Sequence, residues 1–374
     1  MSWTLQRLDQ LGYLSRGRSR HRPRDAAHLY GGAYPFIQTG DVKHAGLYIK
    51  DYRQTYSDAG LHQSRLWSAG ALCITIAANI ADTAILGIDA CFPDSVIGFI
   101  PDEKKADVRF VKYLFDATIK QRVRQFTQGA AQDNLSQEKL LSIQFMVPNV
   151  NVQKRIADTL SAYDDLIENN LRRIQLLEHS ARLLYKEWFI HLRFPGHEHT
   201  KIIDGVPEGW ERRSLGDMAP LKYGKALKQD DRTSGPFPVY GSSGVIGYHN
   251  KALVQGPGII VGRKGNVGSV YWSATDFFPI DTVYFVEADN SNLYLYYALL
   301  HTVFISTDVA VPGLNRDFAH SRLFLIPSPT MLQAFEEVLS PIHTQISNLQ
   351  GYSDWLEKAR NLLLPRLMNG EILV

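Results

Sequence analysis

Hydrophobic residues between positions 152 and 190 recur at steps that alternate between four and three residues. Such spacing is the repeat of a coiled-coil seam, and charged residues occupy most intervening positions. It predicts one long helix that needs a partner helix, rather than an ordinary helix of one large core. A polar seam residue, Asn170, indicates a position that fixes the register of pairing. The seam positions are Ile156, Leu160, Tyr163, Ile167, Asn170, Ile174, Leu177, Ala181, Leu184 and Trp188.

A second run with the same spacing predicts the partner helix over residues 331–368. Its steps are regular except from Leu349 to Tyr352, where a missing residue should overwind the pair locally. Pro341 should kink this helix near its start, because proline removes a backbone hydrogen bond. We expect the two helices to pair antiparallel. The seam positions are Phe335, Leu339, Ile342, Ile346, Leu349, Tyr352, Leu356, Ala359 and Leu363.

The two halves of the chain repeat each other, which is the strongest internal signal in the sequence. Each half begins with short strands, continues into a helix near 107–127 or 292–305, and ends with a strand before its long helix. The predicted fold class is α+β, with two similar mixed α/β heads joined by two long antiparallel helices as a pseudo-two-fold repeat. Matched residues include Trp3 with Trp210, Leu8 with Leu215, Gly17 with Gly224, Phe92-Pro93 with Phe278-Pro279, and Val147-Pro148 with Ile326-Pro327.

Chain length and the repeat together predict the domain boundaries. A chain of 374 residues ordinarily folds as two domains. Prolines and glycines between the halves indicate a linker. The predicted segments are a first head at 1–150, a central spacer helix at 151–192, a linker at 193–209, a second head at 210–329 and a C-terminal spacer helix at 330–374.

Composition and charge narrow the class of protein only slightly. A hydrophobic content of 45% supports packed cores, and a net charge of +2 indicates no particular partner. The sequence has no signal peptide and no apolar run of about 18 residues, so we expect a cytoplasmic protein. Cys73 and Cys91 lie in apolar runs without metal-ligand spacing, which predicts reduced core thiols.

One pattern leaves a catalytic role open. A Pro-Asp … Glu-x-Lys arrangement at Asp94 and Glu103 resembles the site of a metal-dependent nuclease, but the second half has no equivalent. The glycine-rich stretch 262–268 resembles a phosphate cradle, yet no helix is evident behind it, so a strand–loop–strand hairpin is predicted. No catalytic residue and no metal site is therefore predicted. A metal-dependent nuclease and a coiled-coil adaptor without nucleic acid remain the alternatives to a non-catalytic protein that binds nucleic acid.

Basic and amide side chains concentrate in the loops of both halves. Arg and Lys can read guanine, and Asn and Gln can read adenine, through paired hydrogen bonds in the major groove. Basic side chains also bind phosphate. The candidates for DNA contact are Arg18, Arg20, Gln38, Thr39, Lys43, His44, Gln132 and Asn134 in the first half, and Lys225, Ser242, Ser243, Arg263, Lys264, Asn266, Asn315 and Arg316 in the second.

With these residues in view, the halves resemble the two target-recognition domains of a type I restriction-modification specificity subunit. The resemblance spans nearly the whole chain and adds Tyr240 to the DNA-contact candidates. The first head departs most, because residues 79–82 replace the glycine loop of the second head. The segments that carry the resemblance are 240–248, 262–269, the spacer end 181–189 and the C-terminal 363–371, together with Trp210, Leu215 and Gly224.

The resemblance implies a non-catalytic subunit that binds double-stranded DNA, with each head reading one half of a split, asymmetric target. The helices would set the unread gap and dock two modification subunits. Those subunits would bring S-adenosylmethionine and methylate adenine, and restriction subunits with ATP and Mg would translocate and cut. No cofactor is expected on this chain itself. The docking candidates are Tyr185, Trp188, Phe189, Leu364, Arg366 and Leu367.

The spacer helices would then act as a ruler. Four residues added after Asn170 advance a helix by about 6 Å and rotate it by a little over one turn. That length is close to two base pairs of DNA at about 3.4 Å each. We therefore expect this insertion to preserve the fold and to lengthen the unread gap by about one or two base pairs.

Overall fold

The computed structural model divides the chain into two compact units. Unit 1 comprises Met1–Leu171 and Gly351–Val374, and unit 2 comprises Arg172–Gln350. Each unit therefore contains one head and one part of each long helix, whereas the boundaries predicted from the repeat treat the helices as separate segments. The structure describes residues 3–77, 80–126, 137–305 and 313–374.

The first head consists of short β-strands that pack against helices. Its largest sheet has the order β2-β10-β7-β8-β4, a second has the order β5-β3-β9-β6, and β1 pairs with β11. The strands are β1 (Thr4–Gln6), β2 (Gly12–Arg16), β3 (Tyr30–Phe36), β4 (Tyr48–Ile49), β5 (Gln54–Tyr56), β6 (Leu66–Trp67), β7 (Leu72–Thr75), β8 (Thr83–Leu86), β9 (Ala90–Cys91), β10 (Val96–Pro101) and β11 (Phe145–Val147). The helices are α1 (Leu8–Leu11), α2 (Thr39–His44), α3 (Asp58–His62), α4 (Val108–Phe126) and α5 (Gln137–Ser142), followed by the long α6 (Val150–Tyr185).

The large sheet of unit 1 is buried on both faces. Successive side chains of a strand point to opposite faces, so Ile74 packs into the core that contains α4, and its neighbour Cys73 packs into the core on the other side. That second core contains Trp67 and Phe92, whose rings stack at 4.9 Å. Both cysteines are buried and free, as predicted.

The second head follows the same plan. Its sheets have the orders β15-β21-β18-β19 and β17-β16-β20, and β14 pairs with β22. The strands are β12 (Ile202–Ile203), β13 (Val206–Pro207), β14 (Glu211–Ser214), β15 (Lys222–Tyr223), β16 (Phe237–Gly241), β17 (Gly244–His249), β18 (Gly258–Gly262), β19 (Val270–Ser273), β20 (Phe278–Pro279), β21 (Val283–Val286) and β22 (Leu323–Ile326). The helices are α7 (Leu215–Met218), α8 (Leu293–His301), α9 (Arg316–His320) and the long α10 (Pro329–Met368).

Strand order confirms the internal repeat. The order β2-β10-β7-β8 in the first head matches β15-β21-β18-β19 in the second. The parallel pair β3 and β9 matches the parallel pair β16 and β20. In each head the entry strand pairs with the strand that precedes the long helix. The predicted hairpin around the glycine-rich loop is also confirmed, because β18 and β19 pair antiparallel across it.

The matched glycines Gly17 and Gly224 have the same structural reason. A Cβ atom at Gly17 would lie 2.2 Å from the carbonyl oxygen of Phe92, and one at Gly224 would lie 2.1 Å from that of Ile280. In both heads the chain after the edge strand crosses the Phe-Pro segment at backbone contact. Only glycine permits that approach, so the repeat preserves it.

The predicted seam of α6 is confirmed, because each of its positions is buried or half-buried. In unit 2, Ile174 packs with Ile346 and Leu349, and the ring centroids of Tyr185 and Phe335 are 6.4 Å apart. A later residue of α6 thus meets an earlier residue of α10, so the two helices run antiparallel there, as expected. After α6, a π-helical turn spans Lys186–Ile190. Within the part of the chain that the structure describes, no helix combines the length and apolar character needed to cross a membrane.

The predicted seam of α10 is wrong at one position. Tyr352 is 64% exposed, whereas Ser353 and Arg360 are partly buried. The seam continues from Leu349 through Ser353, Leu356 and Arg360 with regular steps, so it contains no irregular step. Apolar character alone selected the tyrosine, because Ser353, which takes its place, is polar. Ala359, next to Arg360, is half-buried as predicted.

The start of α10 has a regular cap. Pro329 occupies the first helical position, where its missing N–H costs nothing, and the Ser328 side chain accepts from the backbone N–H of Met331 at 3.3 Å. The helix continues without interruption through Pro341, which is exposed. The kink at that residue stays a prediction.

A polar cluster joins both long helices to the head inside unit 1. Arg360 of α10 forms an ion pair with Asp164 of α6, and the Tyr113 hydroxyl of α4 donates to the same carboxylate at 2.5 Å. Asp164 and Arg360 are 10% and 23% exposed, and Tyr113 is buried. Because a buried polar pair is favourable only when its members meet, this cluster selects one register of α6 against α10. A corresponding role for Asn170, which is half-buried, stays a prediction.

Unit 2 carries a histidine that should make it sensitive to acid. Burial lowers the pKa of His343 to about 4, and its Nε2 atom lies 2.8 Å from the hydroxyl of Tyr297. The rings of Trp272 and Tyr296 complete its surroundings at 6.0 and 5.9 Å. The neutral ring is therefore the form that the fold accommodates.

Acidification should destabilise unit 2 through this residue. Since the folded pKa of His343 lies below its unfolded value, the contribution is fully present above about pH 6.5 and is lost as the pH falls toward 4. Between about pH 7.5 and pH 5 we expect a loss of about 2 kcal/mol in the free energy of unfolding. Urea unfolding of the His343→Gln variant should show a shallower pH dependence. His179→Gln, at an exposed position of α6, should retain the wild-type dependence, and equal slopes for all three proteins would contradict the assignment.

Candidate nucleic-acid interface

Two loops of the second head meet at its surface. The Asn266 amide donates to the Ser243 hydroxyl at 3.3 Å, and the Ser269 hydroxyl donates to the carbonyl of Ser242 at 2.7 Å. Gly265 makes the turn with φ +78°, and a Cβ there would lie 3.0 Å from the Ser242 hydroxyl. The predicted residues of segments 240–248 and 262–269 therefore form one surface.

Arginine–tyrosine stacking adds to this surface. The guanidinium carbons of Arg263 and Arg316 lie 4.9 and 5.1 Å from the ring centroid of Tyr223, which is 48% exposed. Arg263 also donates to the carbonyl of Asp281 at 3.1 Å, and its backbone N–H donates to Thr282 at 2.9 Å. Two residues far apart in sequence are thus brought to one aromatic ring, and Arg263 is fixed by hydrogen bonds.

Backbone contacts hold the segment before α9 beside the same loop. The backbone N–H of Leu314 donates to the carbonyl of Arg263 at 2.8 Å, and Lys264 bridges to Gly313. The hydroxyl of Tyr284 donates to the carbonyl of Leu314 at 2.9 Å, and burial raises the pKa of Tyr284 to about 12, so it stays a donor. Lys264 is exposed at this junction.

The other candidates of the second head differ in exposure and in hydrogen bonding. They are Asn315, Lys225 and Tyr240. The Asn315 side chain accepts from the N–H of Phe318 and so caps α9 at 3.0 Å, which gives it a structural role at an exposed position. Lys225 is exposed, with its backbone N–H bonded to Pro279 at 3.0 Å. Tyr240 is 7% exposed and lies in a core, so its ring belongs to the support beneath the surface.

His320 is a supporting residue that the sequence did not indicate. The backbone N–H of Leu221 donates to its Nε2 atom at 2.9 Å, which holds α9 beside the start of β15. Burial, and then the neighbouring Arg316, lowers the pKa of His320. The neutral ring can therefore accept this hydrogen bond and keep Arg316 near Tyr223.

The candidates of the first head fall into two groups, one in the segment after β2 and one at α2. Arg18 and Arg20 follow β2 and are exposed, and the Ser64 hydroxyl donates to the carbonyl of Arg18 at 2.8 Å. Gln38 caps α2 through its backbone N–H to Asp41, and its amide donates to Gln54 at 2.6 Å.

The remaining candidates of the first head lie on α2 or outside the residues that the structure describes. Lys43 and His44 are exposed on α2, and Thr39 is half-buried at its first residue. Gln132 and Asn134 lie outside the described residues.

A stacked arginine in the first head was missed. The guanidinium carbon of Arg65 lies 4.1 Å from the centroid of the Trp67 ring and 5.2 Å from that of Tyr13. Its terminal nitrogen donates to the Tyr13 hydroxyl at 3.0 Å. Trp67 is buried beneath the arginine, whereas Tyr13 is 51% exposed. Arg65 lies directly before β6 and two residues from Trp67, which was a visible signal, but Tyr13 is distant in sequence.

The docking candidates sit mostly in the cores. Tyr185 and Phe189 are each 6% exposed and pack against aromatic residues of unit 2, including Tyr294 and Phe335. Trp188 is half-buried and lies 5.6 Å from Phe335. These rings therefore stabilise the second head, and their contact with a partner stays a prediction.

At the C-terminus, only Arg366 among the docking candidates is exposed. Leu367 is buried and Leu364 half-buried in the core of unit 1. Arg366 forms an ion pair with Glu371 at 3.1 Å. Exposed apolar side chains lie elsewhere on the helices, at Leu176, Leu183, Tyr352, Trp355 and Leu362.

The nuclease alternative gains no support from the arrangement of carboxylates. Asp94 forms an ion pair with Arg24 at 2.8 Å rather than facing a second acid. Among the residues that the structure describes, no group of three or more His, Cys, Asp or Glu side chains could hold a metal ion.

Comparisons with known proteins agree on one family. A profile described as the type I restriction modification DNA specificity domain matches residues 2–179 and 207–313. The MjaIX type I restriction enzyme specificity subunit of Methanocaldococcus jannaschii is 24% identical over 100% of this chain and 94% of that protein. The HindI specificity subunit of Haemophilus influenzae is 20% identical over 73% of this chain and 80% of that protein.

A solved structure extends the agreement to the fold. The crystal structure of the type I restriction-modification system S subunit from M. genitalium superposes with a TM-score of 0.62 and 18% identity. The match covers 98% of this chain and 96% of that one. The profile match includes the first head, most of the central helix and most of the second head. This chain therefore belongs to the family of type I restriction-modification specificity subunits.

Proposed function

We propose that the chain is the non-catalytic DNA sequence-specificity subunit of a type I restriction-modification complex, with each head reading one half of a bipartite, asymmetric target. The observation that carries this proposal is the shared strand order of the heads combined with different side chains at their surfaces. A common scaffold with divergent loops suits two readers of two different sequences.

The chemistry of the second head supports base reading. Arg263 and Arg316 can each offer paired donors to guanine, and Asn266 can pair with adenine. Lys225 and Lys264 are exposed charges of the kind that bind phosphate, so affinity should fall steeply with salt. The serine hydroxyls beside Asn266 can donate or accept.

The partner roles extend this proposal. The helices α6 and α10 dock two modification subunits, which carry S-adenosylmethionine and methylate adenine within the target. Restriction subunits with ATP and Mg join that assembly and cut. The chain itself binds no cofactor, and its contribution is the choice of sequence.

Exchange of one head tests the division of labour. We expect that replacing residues 1–150 with the first head of another family member changes only one half of the methylated motif. Sequencing of modified bases in cells measures the outcome. Because Ile156, Leu367 and Met368 belong to the core of unit 1, a second chimera should exchange the whole of that unit, Met1–Leu171 together with Gly351–Val374. A change in both halves of the motif would contradict independent reading.

Two biochemical controls separate the alternatives. The purified chain with magnesium and plasmid DNA should leave the plasmid uncut, whereas a metal-dependent nuclease would cut it. A gel shift at several salt concentrations, with and without the modification subunit, should detect DNA binding. An adaptor that lacks nucleic-acid affinity would give no shift in either case.

A further inference from the structure

Each head carries an arginine stacked on an exposed tyrosine of an edge strand. In the first head the strand is β2, at one edge of the order β2-β10-β7-β8-β4, and the pair is Tyr13 with Arg65. In the second head the strand is β15, at the edge of β15-β21-β18-β19, and Tyr223 is flanked by Arg263 and Arg316. The same chemistry therefore occurs at the same edge of the two sheets.

The internal repeat does not explain this coincidence. Tyr223 lies opposite Tyr284 in the ladder, and the residue in the equivalent place of the first head is Arg16, opposite Ile97. Tyr13 is therefore at a different position of the strand. Tyr13 faces the core that contains Trp67, whereas Tyr223 lies beside Tyr284 of the core that contains α8, so the two pairs share an edge but lie on opposite faces of the sheets. Each head therefore places an arginine–tyrosine pair at this edge with residues of its own.

Stacking prepares a guanidinium for recognition. A planar guanidinium on an aromatic face keeps its N–H edge available for bidentate hydrogen bonds, and it loses less freedom when it binds. Arg65 uses one donor for the Tyr13 hydroxyl at 3.0 Å, which fixes its plane further. A nearby segment of the same head supplies positive charge, because Arg16 at the end of β2 and Arg18 and Arg20 after it are exposed.

Hydrogen bonds join the residues just before Arg65 to the basic segment that follows β2. The Ser64 hydroxyl donates to the carbonyl of Arg18 at 2.8 Å, and the Gln63 side chain accepts from the N–H of His21 at 3.0 Å. The segment that carries the stacked arginine is thus bonded to the basic segment after β2. In the second head, exposed Lys225 follows β15 in the corresponding place.

We propose that the edge-strand stacks are the base-reading elements of their heads, with Arg65 as the specificity-determining arginine of the first head and Arg263 with Arg316 serving the second. This inference rests on the proposed function and assigns its chemistry to particular side chains. Guanine is the base that such an arginine reads in the major groove.

The test uses the complete subunit with its modification subunits and three duplexes. One duplex carries the methylated motif found in cells, and each of the others has one half-site scrambled. We expect Arg65→Ala to bind the intact motif about tenfold to a hundredfold more weakly and to lose discrimination at one half-site only. Arg65→Lys should lose the same discrimination, since it keeps the charge without the planar stack. Arg263→Ala should lose discrimination at the other half-site.

The controls distinguish the possible failures. Arg7→Ala, which removes an exposed arginine of the first head that pairs with Asp9 at its surface, should bind all three duplexes like the wild type. Thermal melting should show that the Arg65→Lys variant folds, which keeps the test valid if the alanine variant does not. Equal weakening on all three duplexes would assign Arg65 to phosphate contact, and unchanged binding would remove it from the interface. Either result overturns the inference, whereas a wild-type complex that binds all three duplexes equally would overturn the proposed function instead.

Discussion

Replacing Arg360 with methionine should lower the free energy of unfolding of unit 1 by about 3 kcal/mol, the lower end of the cost of breaking a buried ion pair. The substitution leaves the Asp164 carboxylate, which is 10% exposed, without its cation. The Tyr113 hydroxyl would still donate to it, but one neutral donor does not replace an opposite charge. Urea unfolding followed by tryptophan fluorescence measures the loss.

Two comparisons make this expectation specific. The triple variant Tyr113→Phe, Asp164→Leu and Arg360→Met should recover most of the stability, because apolar residues can replace a buried polar cluster when all of its members are removed together. Glu168→Gln breaks the ion pair with Lys50, whose side chains are about half exposed, and should cost less than about 1 kcal/mol. A similar small cost for Arg360→Met would show that the cluster does not set the register.

Insertions into the long helices should have a large effect on the gap between recognised half-sites. The compact units divide α6 after Leu171 and α10 after Gln350. In unit 1, α6 is tied to α10 by Asp164 and Arg360, and in unit 2 by Ile174 with Ile346. Four residues added to both helices at these points should preserve both sets of contacts. The unread gap should lengthen by about one or two base pairs, since four residues advance a helix by about 6 Å.

An insertion in one helix alone has a different expected result. Four residues after Asn170 would move α6 by about 6 Å against an unchanged α10. Because both units contain contacts between these helices, one set of contacts would be lost. We therefore revise the expectation drawn from the sequence, in which the single insertion was tolerated. The methylated motif of each variant in cells measures the gap, and an unchanged gap in the matched double insertion would show that the helices are not the ruler.

Much of the fold could be predicted because its signals are local or repeated. The seam of α6 follows from hydrophobic spacing, since a helix that pairs along one face buries side chains at fixed intervals. The repeat identified Gly17 and Gly224 before any contact was known, because only glycine fits the close backbone crossing that both heads contain. The loop residues Arg263, Lys264 and Asn266 were also predicted from their chemistry, and Lys264 and Asn266 are exposed.

Only the tertiary structure decided which polar groups and rings meet. Arg360 occupies a seam position because Asp164, almost two hundred residues away, supplies its counter-charge, and no spacing rule selects an arginine there. Tyr185 is the kind of aromatic residue expected at a docking surface, yet the packing of α8 and α10 buries it. Arg65 meets Tyr13, 52 residues earlier in the chain, only through tertiary packing. Periodicity is encoded along the chain, whereas the partners of a charge or an aromatic ring are fixed by how distant segments pack.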